Sequence, residues 1–236
     1  MLLTRLRSQG GFTLVELLAA MGISMITLLM VLAVLDTSVK QSNAVAGRVN
    51  ATQRARLALD RVTRQLRSQI CISATEPAIV NGTGDAVTFY ADLSDGVRPV
   101  EKRELVFDAT AMTLSERIWP GVLNPVTKVL SWPGTPPSRQ TLEGVTRRPV
   151  PPLPAPQDTA FFHYYAYSTA TPPRPTELLT PPLTLTDRKR VAKIEMGFTT
   201  LPPNARGNPA AAVTLQNEIY VRVADPNDQA PTPTCV

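Results

Sequence analysis

The sequence predicts an α+β protein: a long N-terminal helix, membrane-spanning in its first half, packed against an antiparallel β-sheet head. Three observations carry this. No proline occurs between Met1 and Glu76, although the chain holds 23. The 24-residue run Phe12–Leu35 is apolar almost throughout, and about 20 such residues cross a bilayer as a helix. From Cys71 onward, β-branched and aromatic residues gather in short runs bounded by Gly, Pro, Asn and Asp, the pattern of strands and turns.

The first element is a basic leader, residues 1–11, which carries Arg5 and Arg7 and ends in Gly10-Gly11. Phe12 follows, and Glu16 lies four residues further on, inside the apolar run. The other hydrophilic members of that run are Thr13, Ser24 and Thr27. A carboxylate within a membrane span costs roughly 2.5–3.5 kcal/mol on insertion scales, so Glu16 is a functional candidate by default. A secretory signal peptide would have a shorter apolar core with small residues after it. Here the run is long and the glycine pair precedes it. A plain signal anchor accounts for the arginines and the length. It gives no role to Gly-Gly-Phe or to Glu16. The positive-inside rule places the N-terminus in the cytoplasm, with a single pass at 12–35 and everything beyond Leu35 outside.

The helix is expected to run over residues 12–70, with regular geometry from about Thr13 to Gln69, roughly 85 Å at 1.5 Å per residue. Beyond Leu35 the pattern becomes amphipathic: Val45, Val49, Thr52, Arg56, Leu59, Val62, Leu66 and Ile70 recur at steps of three or four. Apart from Thr52 and Arg56 they form one apolar stripe, the face expected to meet the head. Arg48, Arg54, Arg61, Arg64 and Arg67 lie mostly off it and read as a solvated face, with Asp60 and Arg64 spaced for a surface pair. Gly22 either allows close helix approach in a bundle or marks where the helix loosens.

The head divides into a first β-rich part (71–132), a proline-rich linker or loop (133–157), and a second β-rich part with a C-terminal tail (158–236). In the first part, Ala86–Ala91 is a strand, and Glu104–Asp108 and Thr113–Trp119 form a hairpin about a turn at Asp108–Met112. Lys128–Trp132 is another short strand. Asn81–Gly84 and Asp92–Val97 are loops, and Ser94-Asp95-Gly96 is a plain turn with too few acids for a calcium loop. Eight prolines between Pro133 and Gln157 argue against a regular element there and could split the head into two lobes. In the second part, Ala160–Tyr167 is an aromatic strand. Thr171–Pro182 is a proline-rich connection, and Thr186–Arg190 is a charged bridge. Val191–Phe198 alternates as a half-buried strand, with Val191, Lys193 and Glu195 on one side and Ala192, Ile194, Met196 and Phe198 on the other. Val213–Val223 is the last strand.

The formal charge is +5, and loss of Arg5 and Arg7 lowers it to +3. So small an excess, without Lys/Arg interleaved with aromatics, gives nucleic acid little support as a partner. Two cysteines exist, Cys71 and Cys235. In an oxidising compartment an even pair is consistent with a disulfide, which would tie the penultimate residue to the end of the long helix. Two unpaired thiols are the alternative. Neither spacing forms a metal site, and no cofactor motif is present. His163, the only histidine, lies in an aromatic strand where a packed side chain is the ordinary case. No nucleophile elbow, metal-ligand cluster or phosphate-cradling loop occurs, so no catalysis is expected.

Gly10-Gly11-Phe12-Thr13-Leu14-Val15-Glu16 resembles the processing site of type IV pilins and of the pseudopilins of type II secretion. The resemblance implies cleavage between Gly11 and Phe12 by a prepilin peptidase and N-methylation of Phe12. It also implies that Glu16 meets the new amine of a neighbouring subunit when apolar helices bundle in a filament core, where an unpaired charge is costly. The segment Arg54–Arg67 and the strand order Phe161–Tyr167, Arg190–Phe198, Leu215–Val223 are similar to the larger minor pilins and the J-type pseudopilin. The head is larger than that of major pilins and lacks their closely spaced C-terminal cysteine pair. The implied protein is a non-catalytic minor pilin or pseudopilin of the cytoplasmic (inner) membrane, at or near the filament tip. Its implied partners are the peptidase/methyltransferase, other minor subunits and an inner-membrane assembly platform. A tip adhesin or DNA-uptake subunit of the same family stays open, as does a signal-anchored extracytoplasmic binding protein with no filament role.

Overall fold

The computed structural model describes residues 13–73, 76–93, 99–148, 159–170, 173–201 and 212–221. Its compact units are residues 1–46 and 47–236, and helix α1, Leu14–Arg67, contributes to both. The α+β class and the long first helix are as the sequence predicts.

In the first unit, every described residue of α1 up to Ala46 is exposed. Its hydroxyls turn back onto the helix: Ser24 Oγ donates to the Ala20 carbonyl at 2.7 Å, and Thr27 Oγ1 to Ile23 at 2.6 Å. An apolar helix whose hydroxyls are satisfied internally is the form a bilayer accepts.

The second unit contains two larger sheets. Strands β1 (Ile79–Gly82), β2 (Ala86–Ala91), β3 (Glu101–Asp108), β4 (Thr113–Trp119) and β7 (Arg139–Glu143) form one, antiparallel throughout, in the order β1-β2-β3-β4-β7. Between β4 and β7 lies a two-stranded hairpin, β5 (Val122–Leu123) and β6 (Leu130–Ser131). The other sheet has the order β10-β9-β11-β12, with β8 also pairing β11. Its strands are β8 (Val145–Arg147), β9 (Phe162–Ala166), β10 (Glu177–Leu179), β11 (Val191–Thr200) and β12 (Val213–Tyr220).

The two sheets enclose one core. Phe161 stands between them, its ring stacked on Phe107 of β3 at 4.5 Å and on Phe198 of β11 at 5.7 Å. Tyr164 of β9, fully buried, donates its hydroxyl to the carbonyls of Thr83 and Ala86 beside β2. Burial and the nearby Asp85 push its pKa well above the ordinary tyrosine range.

The loop expected at Asn81–Gly84 begins inside β1, where Asn81 and Gly82 pair with Thr88 and Val87 of β2. Five further expectations need correction. The linker assigned to 133–157 contains β7 and β8. Its prolines flank the segment Arg139–Arg147, which contains none and is free to pair. Gly144 carries the chain from one sheet to the other at φ +67°, and a Cβ there would come within 3.0 Å of the Leu201 carbonyl oxygen. The connection 171–182 contains β10, paired to β9. The charged bridge is a short helix, α2 (Leu185–Arg190), started by a capping box between Thr184 and Asp187. Strand β11 is buried at all ten positions. It is central, with β9 and β8 on one side and β12 on the other, and a register shift between Val191 and Lys193 brings Val191 into the core with Ile194, Met196 and Phe198.

The fifth of these corrections concerns the helix face. Val45 and Val49 are exposed, and the buried apolar positions are Ala51, Ala55, Ala58, Val62 and Leu66. The spacing is helical as expected, but alanine supplies its first half. Small side chains let the helix axis approach the core closely, so apolar bulk alone did not mark the face. The turn expected at Ser94-Asp95-Gly96 lies outside the described residues.

Candidate functional site

The candidate site is the start of α1. Thr13 precedes the helix, and its Oγ1 accepts from the Glu16 backbone N–H at 3.3 Å. Glu16 occupies the first turn, where a carboxylate also complements the positive end of the helix dipole. Its side chain is exposed, and among the described residues no hydrogen bond or ion pair reaches its carboxylate. Leu14, Val15, Leu17 and Leu18 around it are exposed as well. An acid is thus presented on an apolar surface of the kind that buries itself against lipid or other helices. Gly22, one and a half turns on, lies within unbroken helix, and a Cβ there would meet nothing within 4 Å. Gly10, Gly11 and Phe12 lie outside the described residues.

The head carries two charged clusters. In the first, Glu116 of β4 has no exposed surface. Its carboxylate accepts from Arg61 Nη2 at 2.5 Å, Gln65 Nε2 at 2.6 Å and Arg103 Nη1 at 2.7 Å. Arg103 also donates to Glu101. The cluster joins α1 to β3 and β4, and Arg54 to Glu143 adds a link to β7 at 2.9 Å. Arg54 and Arg61, expected on a solvated face, are therefore paired to the sheet, while Arg64 makes the expected pair with Asp60. The available signal was strand parity: Glu116 shares the inward side of β4 with Leu114.

The second cluster covers the side of β11 away from the core. Glu195 accepts from Tyr165 Oη at 3.0 Å and Gln216 Nε2 at 2.9 Å, and it pairs with Arg148 at 2.8 Å. Lys193 lies 4.2 Å from the centre of the Tyr165 ring and pairs with Glu218. Burial, and then the bond to Glu195, push the Tyr165 phenol up to about 12. His163 on the same strand is half-buried. Asn217 of β12 donates to Thr63 Oγ1 at 2.7 Å, a third tie to α1. These contacts position the helix and rigidify the sheet. Among the described residues no group of three or more His, Cys, Asp or Glu is placed to hold a metal ion. Cys71 is partly buried just beyond α1, and Cys235 lies outside the described residues.

Comparison with known proteins bears on the N-terminal segment. Residues 6–32 match the family model of the prokaryotic N-terminal methylation motif. That interval contains Gly10, Gly11, Phe12 and Glu16 together with the first turns of α1, and the match supports a type IV pilin-like protein. No curated protein matches the chain. By length and composition, α1 is long and apolar enough to cross a membrane. Motif and helix together fit a membrane-anchored protein.

Proposed function

We propose that the chain is a non-catalytic minor pilin or pseudopilin. It is cut after Gly11 by a prepilin peptidase, methylated at Phe12, and incorporated at or near the tip of a type IV pilus or type II secretion-like pseudopilus. The observation that carries this reading is the methylation motif over residues 6–32, with Glu16 exposed in the first turn of an apolar helix. Cleavage creates an amine on Phe12. In a bundle of apolar helices that cation and the Glu16 carboxylate of an incoming subunit neutralise each other, because each is costly when buried alone. The pairing sets the axial step between subunits.

In this reading the chain is inserted once in the cytoplasmic (inner) membrane, with the N-terminus inside and the head outside. Its partners are the peptidase/methyltransferase, other minor subunits and an inner-membrane assembly platform. A head with several loops and its own charged clusters, larger than a bulk subunit requires, supports a capping role. In the same compartment Cys71 and Cys235 form a disulfide that ties the C-terminus to the end of α1.

Mass spectrometry of the mature protein tests the reading. The expected N-terminal peptide begins at N-methylated Phe12, and a non-reduced digest contains Cys71 and Cys235 in one cross-linked peptide. Retention of residues 1–11 would favour the signal-anchored binding protein and remove the filament role. Two separate thiol peptides would remove the disulfide alone.

A further inference from the structure

The hairpin β5–β6 holds apolar side chains out from the head. Residues 122–129 are exposed without a break, and they include Val122, Leu123, Val126 (86% exposed) and Val129 (60%). Soluble surfaces rarely gather such side chains without a partner.

The tip is built to stay open. Asn124 organises it: Oδ1 accepts from the Val126 and Thr127 backbone N–H groups, its carbonyl accepts from Lys128, and its own N–H donates to the Val129 carbonyl. Lys128 adopts φ +57° to close the turn. The base is pinned to one backbone group, the Val100 carbonyl. Trp132 Nε1 donates to it at 3.0 Å, and Gly121 lies so close that a Cβ would come within 2.2 Å of that oxygen. Trp119 Nε1 donates to the Gly134 carbonyl at 3.0 Å. With the backbone fixed at both ends, the valines cannot fold back onto the head.

Charge and composition point to the occupant. From Arg117 to Leu142 the chain has no acidic residue. Arg117 is neutralised by Glu104, but among the described residues Lys128, at the tip, has no ion-pair partner. Lys102 adds a cation 4.7 Å from the Trp119 ring. Both tryptophans of the chain flank the hairpin. Apolar residues and a lysine at the tip, with tryptophan behind them, are the arrangement of an interfacial membrane contact, where indoles rest among headgroups and cations meet anionic lipid.

We propose that the β5–β6 hairpin is a lipid-contacting element, whose Val122, Leu123, Val126 and Val129 enter the interface of an anionic bilayer. The proposal does not depend on cleavage, methylation or polymerisation.

The two tryptophans make the test direct. The full chain is combined with vesicles of brominated phosphatidylcholine, or of an equal mixture of that lipid with phosphatidylglycerol. Co-flotation reads the anchor and tryptophan quenching reads the hairpin, so the two can fail separately. Emission is expected to fall about twofold in the mixed vesicles, less at high salt. The variant Val126→Asp/Val129→Asp is expected to lose the quenching with an unchanged melting curve, since both positions are exposed. Quenching that persists in that variant would overturn the proposal, and equal quenching in neutral vesicles would overturn the preference for anionic lipid. Unquenched emission with both lipids would also overturn it and leave the tip to a protein groove.

Discussion

Arg61 on the long helix donates to Glu116 on β4 at 2.5 Å, and Glu116 has no exposed surface. A carboxylate so placed is tolerated only because Arg61, Gln65 and Arg103 all point at it. The helix is therefore registered against the sheet by charge as well as by the Ala51–Leu66 face.

Removing Glu116 and removing Arg61 should have different costs. Glu116→Ala leaves Arg103 paired with Glu101 alone and the Gln65 amide without its acceptor, and a buried polar group left unpaired costs about 1–3 kcal/mol. Arg61 is half-exposed, so Arg61→Ala leaves Glu116 with two donors and costs about 1 kcal/mol. Urea unfolding of the unit from Gly47 onward checks both values. Losses below about 0.5 kcal/mol in both variants would show that the cluster does not carry the registration.

Glu16→Ala should leave membrane insertion intact and impair incorporation into filaments. Deleting the carboxylate removes an insertion cost of about 2.5–3.5 kcal/mol, and under the proposed pairing it deprives the neighbour's Phe12 amine of its counter-ion. Membrane fractionation and sheared-filament preparations, compared in the same cells, report the two steps. Wild-type incorporation of the alanine variant would rule out the pairing.

Gly144→Ala should destabilise the head by about 1–2 kcal/mol. The position combines φ +67° with the Leu201 carbonyl oxygen 3.0 Å from any added Cβ. Gly134 has φ +82° but open space around it, so Gly134→Ala should cost no more than the backbone term. Thermal melts of the two variants separate conformational strain from steric contact.

Stability should fall at high pH through Tyr165. Its phenol ionises near 10 in the unfolded chain and at about 12 in the fold, chiefly because of burial and then the Glu195 hydrogen bond. The unfolded state loses the proton first. The stabilisation is therefore complete below about pH 10 and disappears as pH rises through the folded value. Absorbance titration of the tyrosinate band should show several late-titrating groups, with Tyr90 and Tyr164 also raised, of which Glu195→Gln moves only Tyr165 toward the ordinary value. An unshifted titration in that variant would mean that Glu195 does not contribute.

Much of the fold was legible because its signals are local. The hairpin of β3 and β4 follows from two alternating runs around Asp108, whose Oδ1 accepts from the Thr110 and Ala111 backbone N–H groups in the turn. Strand β7 was hidden because prolines on both sides dominate the composition around it. The burial of β11 on both faces was hidden for another reason. Lys193 and Glu195 read as solvent-facing by type, yet both are buried, Lys193 over Tyr165 and paired to Glu218, Glu195 bonded to Tyr165, Gln216 and Arg148. Those partners come from three other segments.

By itself the sequence determined the character of the N-terminal segment. A methylation motif and a membrane span are linear features: the motif is contiguous residues, and a bilayer responds to an uninterrupted apolar run on one helix. The tertiary structure alone decided the burial of Glu116, the passage of β7 and β8 between the two sheets, and the exposure of the β5–β6 tip. Each depends on which distant residues arrive as neighbours. A charge becomes core, or a valine becomes surface, only when the chain that surrounds it or leaves it uncovered has folded into place.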